Sequence, residues 1–202
     1  MEQPFTRTLA TIIKNRRTRK PALYSKTPPP RELIRKLIEI ARHAPNHHRT
    51  EPARFYLLEQ PIIRKVGKLF GEIISKNSED PVLLEKGNRK RQEWGEAPGI
   101  LVLTCATDKS SDLVKKNPAV IEEDYATCCC IGQNLLLLFE SENIASKWST
   151  GPVWEHPQFA KTIGIEKPQS ERVVGIFFYG YSEQKVTSRE LKPLDNHLFS
   201  KY

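Results

Sequence analysis

The stretch from Ala119 to Asn143 limits the possible folds more than any other. It predicts one long helix whose middle is apolar almost all round. A helix of that kind is unstable on a wetted surface and belongs at the centre of a molecule or in a subunit interface. Its apolar run, from Ala126 to Phe139, is interrupted by Gly132, Gln133 and Asn134 and is too short to cross a bilayer. The rest of the chain has to cover this helix.

The covering elements alternate. Leu9, Ile12 and Ile13 fall at helical spacing between Phe5 and Asn15, and that helix ends in Arg16-Arg17-Thr18-Arg19-Lys20. This run is the densest local charge in the chain. It reads either as a solvated helix end, where cations suit the macrodipole, or as an anion site. After Pro28-Pro29-Pro30 a second helix carries Leu33, Leu37, Ile40, Ala41 and Ala44 on one face. Pro45 ends it, so His43 is expected on its last turn. Arg54–Leu58 reads as a strand, and Pro61 opens a third helix with Ile62, Val66, Leu69, Phe70 and Ile73 in register.

The polar stretch from Ser75 to Glu96 has only a weak helical signal after Pro81. It is the least constrained region, a candidate mobile cover over a site. Gly99–Cys105 is a continuous apolar run, hence a strand buried on both faces. Ser146–Pro152 reads as a strand end and loop, His156–Ile163 as a short helix, and Arg172–Tyr181 as a last strong strand. The tail is polar apart from Leu191, Leu194, Leu198 and Phe199. This order predicts a mixed α/β or α+β sandwich around one central sheet, with residues 1–202 forming one domain.

Composition excludes some classes of function and leaves others open. With 38% hydrophobic and 28% charged residues the chain is expected to be soluble and ordered. A formal charge of +8 favours phosphate-bearing partners, whether a nucleotide cofactor, nucleic acid or an acidic surface, without choosing among them. No apolar leader is visible at the N-terminus. Cys105 and the triplet Cys128-Cys129-Cys130 show no C-x-x-C spacing. They are expected to be reduced, buried thiols, which suits a cytoplasmic protein.

The loop from His43 to Phe55 carries the most concentrated chemistry, with three imidazoles and two guanidiniums held between a helix and a strand. His43 and His47 have the i, i+4 spacing of a helical metal pair, but Pro45 breaks that helix. No metal site is expected there. No G-x-G-x-x-G, Walker or Gly-x-Ser-x-Gly pattern occurs. The cysteine triplet lies in the apolar helix, where packing is expected and nucleophilic chemistry is not. Four groups remain: Arg16-Arg17-Thr18, His43 with His47-His48-Arg49, Trp148-Ser149-Thr150-Gly151, and Arg189 with Lys192. Together they offer cations and a hydroxyl to a phosphate, donors to a heterocycle edge, and an aromatic face.

In this order the groups resemble the FMN-dependent nitroreductase family, in particular its small single-domain branch. The first helix of that family ends in Arg-Arg-Ser, matched by Arg16-Arg17-Thr18. Its second helix ends in Ala-Pro before a polar loop, Gln-Pro-Trp and a strand, matched by Ala44-Pro45 through Glu51-Pro52-Ala53 to Phe55. Its later Trp-x-Ser/Thr-Gly loop and final Val-Val-Gly strand correspond to Trp148–Gly151 and Val173–Gly180.

The resemblance implies an α+β sandwich with a central, mostly antiparallel sheet flanked by helices, dimeric, with FMN at the subunit interface. It implies that Arg16, Arg17 and Thr18 hold the FMN phosphate and ribityl chain, and that Arg189, with Lys192, completes that end. His43 and His47 would contact the cofactor, and Trp148, Ser149 and Thr150 would lie along the isoalloxazine. The flavin would carry the chemistry, taking electrons from NADH or NADPH and passing them to a small-molecule acceptor such as a nitroaromatic or quinone. No catalytic side chain is then required. Glu51-Pro52-Ala53 in place of Gln-Pro-Trp, and Arg49 in place of a smaller polar residue, are departures. They keep open a flavin-binding protein without reductase turnover. A basic nucleic-acid-binding protein, using Arg16–Lys20 and the His43–Arg54 loop, is a further alternative that no recognised motif supports.

Overall fold

The computed structural model describes residues 3–76, 78–185, 187 and 189–200. Its sheet contains β1 (Ala53–Leu57), β2 (Gly99–Cys105), β3 (Ala145–Ser149) and β4 (Arg172–Gly180). The order is β1-β2-β4-β3, and each neighbouring pair is antiparallel. Seven helices among the described residues flank it: α1 (Pro4–Asn15), α2 (Arg31–Ala41), α3 (Gln60–Ser75), α4 (Pro81–Gly95), α5 (Asp112–Lys116), α6 (Val120–Ser141) and α7 (Pro157–Ile163). This is the expected α+β sandwich, with a wholly antiparallel sheet.

The two inner strands are covered on both faces. β2 is buried along its whole length and β4 from Val174 onward, so their sequences are continuously apolar instead of alternating. Leu101, Leu103 and Cys105 meet Ile34 and Leu37 of α2 and Ile131, Leu135 and Phe139 of α6. Ile100 and Val102 meet Ile63, Val66 and Phe70 of α3, Trp94 of α4 and Phe159 of α7. The alternation of side chains along a strand thus feeds two cores from one sheet.

Helix α6 lies on the first of these faces. Its inward stripe runs through Val120, Asp124, Cys128, Ile131, Leu135 and Phe139. Its other side is less enclosed than an all-round apolar sequence predicts: Leu137 and Leu138 are half-buried, and Cys130 and Gln133 are exposed. The contact with the sheet is shaped around Trp148. A bulge between Leu103 and Thr104 puts Gly175 opposite Leu103 and Val173 opposite Thr104. The intervening Val174 carbonyl accepts the indole N–H of Trp148 at 3.3 Å. A side chain at Gly175 would meet that indole at 2.2 Å, and one at Gly132 would meet Phe177 at 2.9 Å.

Three expectations need correction. Helix α2 ends at Ala41, and His43 lies just beyond it. Pro45 has no N–H to continue the ladder and disfavours helical geometry at the residue before it, so the apolar stripe outlasts the helix. The Ser75–Glu96 region is not a loose cover. Most of it is α4, laid directly on α3, with Trp94 buried against Phe70 and Phe178 at ring distances of 4.3 and 4.8 Å. Finally, β1 and β2 pair over Ala53–Leu57, one residue earlier than the apolar pattern suggests at its start.

Glycines explain how a polar sequence packs so closely. A Cβ at Gly67 would stand 2.4 Å from the Gly95 nitrogen and 2.7 Å from the Arg91 carbonyl oxygen, and one at Gly71 would stand 2.9 Å from the Gly87 carbonyl oxygen. The two helices therefore touch through backbone. At an open helical position Gly→Ala stabilises by about 1 kcal/mol. At Gly67 overpacking against rigid backbone is expected to reverse the sign, at a net cost of about 1–3 kcal/mol. Urea unfolding of Gly67→Ala should show a lower midpoint with an unchanged slope. A raised midpoint would rule out the backbone contact.

Candidate functional site

The cationic run after α1 is divided by its surroundings. The chain leaves the helix at Arg16 in an extended conformation, and Thr18 then pairs alongside Ser146 of β3 in a parallel bridge. The Arg19 amide donates to the Ser146 carbonyl at 3.1 Å. The Arg19 side chain turns inward to a largely buried pair with Glu140 of α6, at 2.9 Å. Arg19 is therefore a clamp between the first segment and the central helix, and its charge is not available to a ligand.

Arg16, Arg17 and Thr18 face the other way. They line a cleft of about 1100 Å³ together with Lys14, Lys185 and Arg189. Arg17 is oriented by two carbonyls: its Nε donates to Thr187 at 3.2 Å and its Nη1 to Arg16 at 2.8 Å. No carboxylate is found among the described residues lining this cleft. Five cationic side chains, the two threonine hydroxyls of Thr18 and Thr187, and no acid form a donor set suited to a phosphate monoester. The residues present therefore fit the phosphate end of FMN. Arg189 joins Arg16–Thr18 as the resemblance implies, whereas Lys192 is not among the lining residues.

The His43–Phe55 loop is built on a buried carboxylate. Asp124 of α6 is 1% exposed. It accepts hydrogen bonds from the Thr50 hydroxyl and, at 2.7 Å, from the Thr107 hydroxyl. Asn46 donates to the Thr50 oxygen at 3.1 Å and accepts from the Glu51 amide at 3.0 Å. Thr127, one turn along α6, donates to the Pro45 carbonyl at 2.9 Å. This network holds His48, Arg49 and Glu51 at φ of 62, 53 and 47°, a left-handed region that costs a side-chain-bearing residue roughly 1–2 kcal/mol. The loop is thus fixed, not adaptable.

His43 lines a second cavity, of about 560 Å³, whose walls include Ile38, Phe55 and Ile131 and whose rim carries Arg42, Arg49 and Arg54. Glu51 meets Arg42 at 3.4 Å on that rim. His47 lies apart from His43: its ring stacks on His48 with centroids 3.8 Å apart, and its Nδ1 is 3.0 Å from Glu123 of α6. Trp148 packs its indole into the core as described above, and Ser149 is buried. Thr150 is exposed.

The candidate residues thus fall into separate groups within one chain. The Arg16–Thr18 cleft and the His43 cavity have no lining residue in common. Sequence reasoning missed Asp124, Thr50 and Thr107, although a carboxylate on the inward stripe of an apolar helix was the available signal. Cys105 and Cys128 are buried as expected, but Cys129 is half-buried and Cys130 is exposed. A hydrogen bond to Cys105 and burial push the Cys128 thiol far above its ordinary range, and burial raises Cys129.

Comparisons with known proteins agree with this fold. The family model described as the Nitroreductase family matches residues 13–181. A Bacillus subtilis (strain 168) protein, YfhC, whose name assigns it provisionally to the NAD(P)H nitroreductases, is 26% identical over 187 residues, covering 92% of this chain and 90% of the relative. The crystal structure of a nitroreductase-like family protein from Bacillus cereus superimposes with a TM-score of 0.77 at 21% identity, covering 96% of this chain and 95% of the other. The FMN-dependent nitroreductase NfnB from Mycobacterium smegmatis, in complex with NADPH, gives 0.72 at 16% identity, covering 98% of this chain and 100% of the other. With the family model spanning most of its length, the chain belongs to the nitroreductase family.

Proposed function

We propose that this protein is an FMN-dependent oxidoreductase that moves electrons from NADH or NADPH to a nitroaromatic, quinone or similar small acceptor. The observation that carries the proposal is the acid-free cationic cleft at Arg16, Arg17, Thr18 and Arg189 in a chain of this family. The names of the relatives support it, since NfnB is FMN-dependent and was crystallised with NADPH. A bound flavin would accept a hydride from reduced nicotinamide and release the electrons to the acceptor. The chain's own task is to bind and orient it. The guanidiniums of Arg16 and Arg17 neutralise the phosphate, and the Thr18 hydroxyl donates to it or to the ribityl chain. The rigid loop at His43 and His47 and the exposed Thr150 supply polar groups for the ring system.

We further propose a homodimer with FMN at its interface. Among the described residues none of the side chains of α1 is buried, although Phe5, Leu9 and Ile13 form an apolar stripe and Phe5 is 88% exposed. Leu191, Leu194, Leu198 and Phe199 are also exposed. So much uncovered apolar surface favours association. A second copy would also bring its loop to the first copy's cleft, joining the groups that a single chain keeps apart. No helix among the described residues is long and apolar enough to cross a membrane. A cytoplasmic location suits the free cysteines.

Two experiments test this reading. Removing one charge-assisted contact with Arg16→Ala or Arg17→Ala should weaken FMN retention about 10- to 100-fold, from roughly 1.5–3 kcal/mol per contact. Unchanged flavin affinity in both variants would refute the phosphate assignment. Light scattering should report a dimer, and Leu9→Asp should give folded monomer that loses FMN. A monomeric wild type that retains FMN would refute the shared site.

A further inference from the structure

We infer that His47, His48 and Glu123 form a binding site for one divalent transition-metal cation of the zinc class. One ligand atom from each residue lies within 4.8 Å of the others. Glu123 Oε2 is 3.0 Å from His47 Nδ1 and 3.9 Å from His48 Nε2. Tetrahedral Zn²⁺ with bonds of about 2.0–2.1 Å separates its ligand atoms by roughly 3.3–3.4 Å. The two observed separations bracket that value, and the two histidine nitrogens lie within 4.8 Å of each other; closing the site takes rotation of the stacked rings, so that both in-plane lone pairs meet one cation. Two imidazoles and one carboxylate suit Zn²⁺, Co²⁺ or Ni²⁺ and do not suit Mg²⁺, which prefers oxygen ligands. Three protein ligands leave a further position for water or a small anion.

The site was hidden in the sequence for a geometric reason. Pro45 removes the helical pair His43/His47, and His43 indeed lies elsewhere. The pair that forms is His47 with its neighbour His48, whose left-handed backbone (φ 62°, ψ 2°) stacks the two rings. The carboxylate arrives from 76 residues away in sequence. Asp124, next to Glu123, grips Thr50 in the same loop, so both sides of the site are fixed to each other before any cation binds. Glu122, which precedes these two acids, is paired with Arg172 at 3.6 Å, so Glu123 is the carboxylate that faces the two imidazoles. A cation here would clasp the loop to the start of α6.

The test uses the untagged, flavin-loaded full chain, stripped with EDTA and titrated with ZnCl₂ by calorimetry, with MgCl₂ as control. Wild type should take up about one Zn²⁺ per chain and melt at a higher temperature with zinc than without. Co²⁺ should give visible d–d absorption from a site with nitrogen ligands. His47→Gln, Glu123→Gln and His48→Asn, the last chosen because Asn tolerates left-handed backbone, should each weaken zinc binding about tenfold or more, the least that losing even an outer-shell partner costs. Thermal melts without metal check that each variant is folded. Less than one equivalent bound, equal binding by the variants, or an equal response to Mg²⁺ would overturn the assignment. Flavin absorbance recorded in parallel separates this site from the flavin reading. Zinc binding kept by His47→Gln would overturn the metal site whether or not that variant retains FMN.

Discussion

The burial of α6 against the sheet is the constraint on which the other features depend. Its inward stripe contacts β2 and β4 and the face of α2. Each fully buried Leu, Ile or Phe there contributes about 1.5–3 kcal/mol. The same helix carries the polar groups that organise function. Asp124 and Thr127 set the His43–Phe55 loop, Glu140 anchors Arg19 beside the cationic cleft, and Glu123 meets the two adjacent histidines. One packed element therefore helps fix the His43–Phe55 loop and the segment after α1.

This arrangement accounts for what was and was not legible in the sequence. The strands were readable because double-sided burial leaves a continuous apolar signature in Gly99–Cys105 and Val174–Gly180. The central helix was readable from its apolar run, although that run overstated how far its outer side is enclosed. Helix α4 was not, because apart from Trp94 on Phe70 its close contact with α3 is made at Gly67, Gly71, Gly87 and Gly95, and backbone contact leaves no apolar periodicity. The end of α2 was misplaced because the apolar stripe continues through Ala44 after the hydrogen-bond ladder has stopped.

The site was legible in parts. Arg16, Arg17, Thr18 and Arg189 line one cleft, across a sequence separation no local pattern could bridge. Trp148 shows the opposite case. Its motif suggested a surface facing a ring, whereas the structure gives it a wedge role between Gly132 and Gly175. The loop residues that depart from the family pattern, Arg49 and Glu51, are held in left-handed backbone by the Asp124 network. They gather with His43 around one cavity, so differences in acceptor preference should arise there, away from the phosphate cleft.

The most direct test of the proposed activity is an anaerobic absorbance titration of the purified protein with NADH and with NADPH. The account predicts a yellow protein whose visible flavin absorption is bleached by at least one nicotinamide and restored by a quinone or nitroaromatic, because the cofactor carries the electron transfer. A protein that holds FMN but is bleached by neither donor would contradict the oxidoreductase claim and leave only flavin binding.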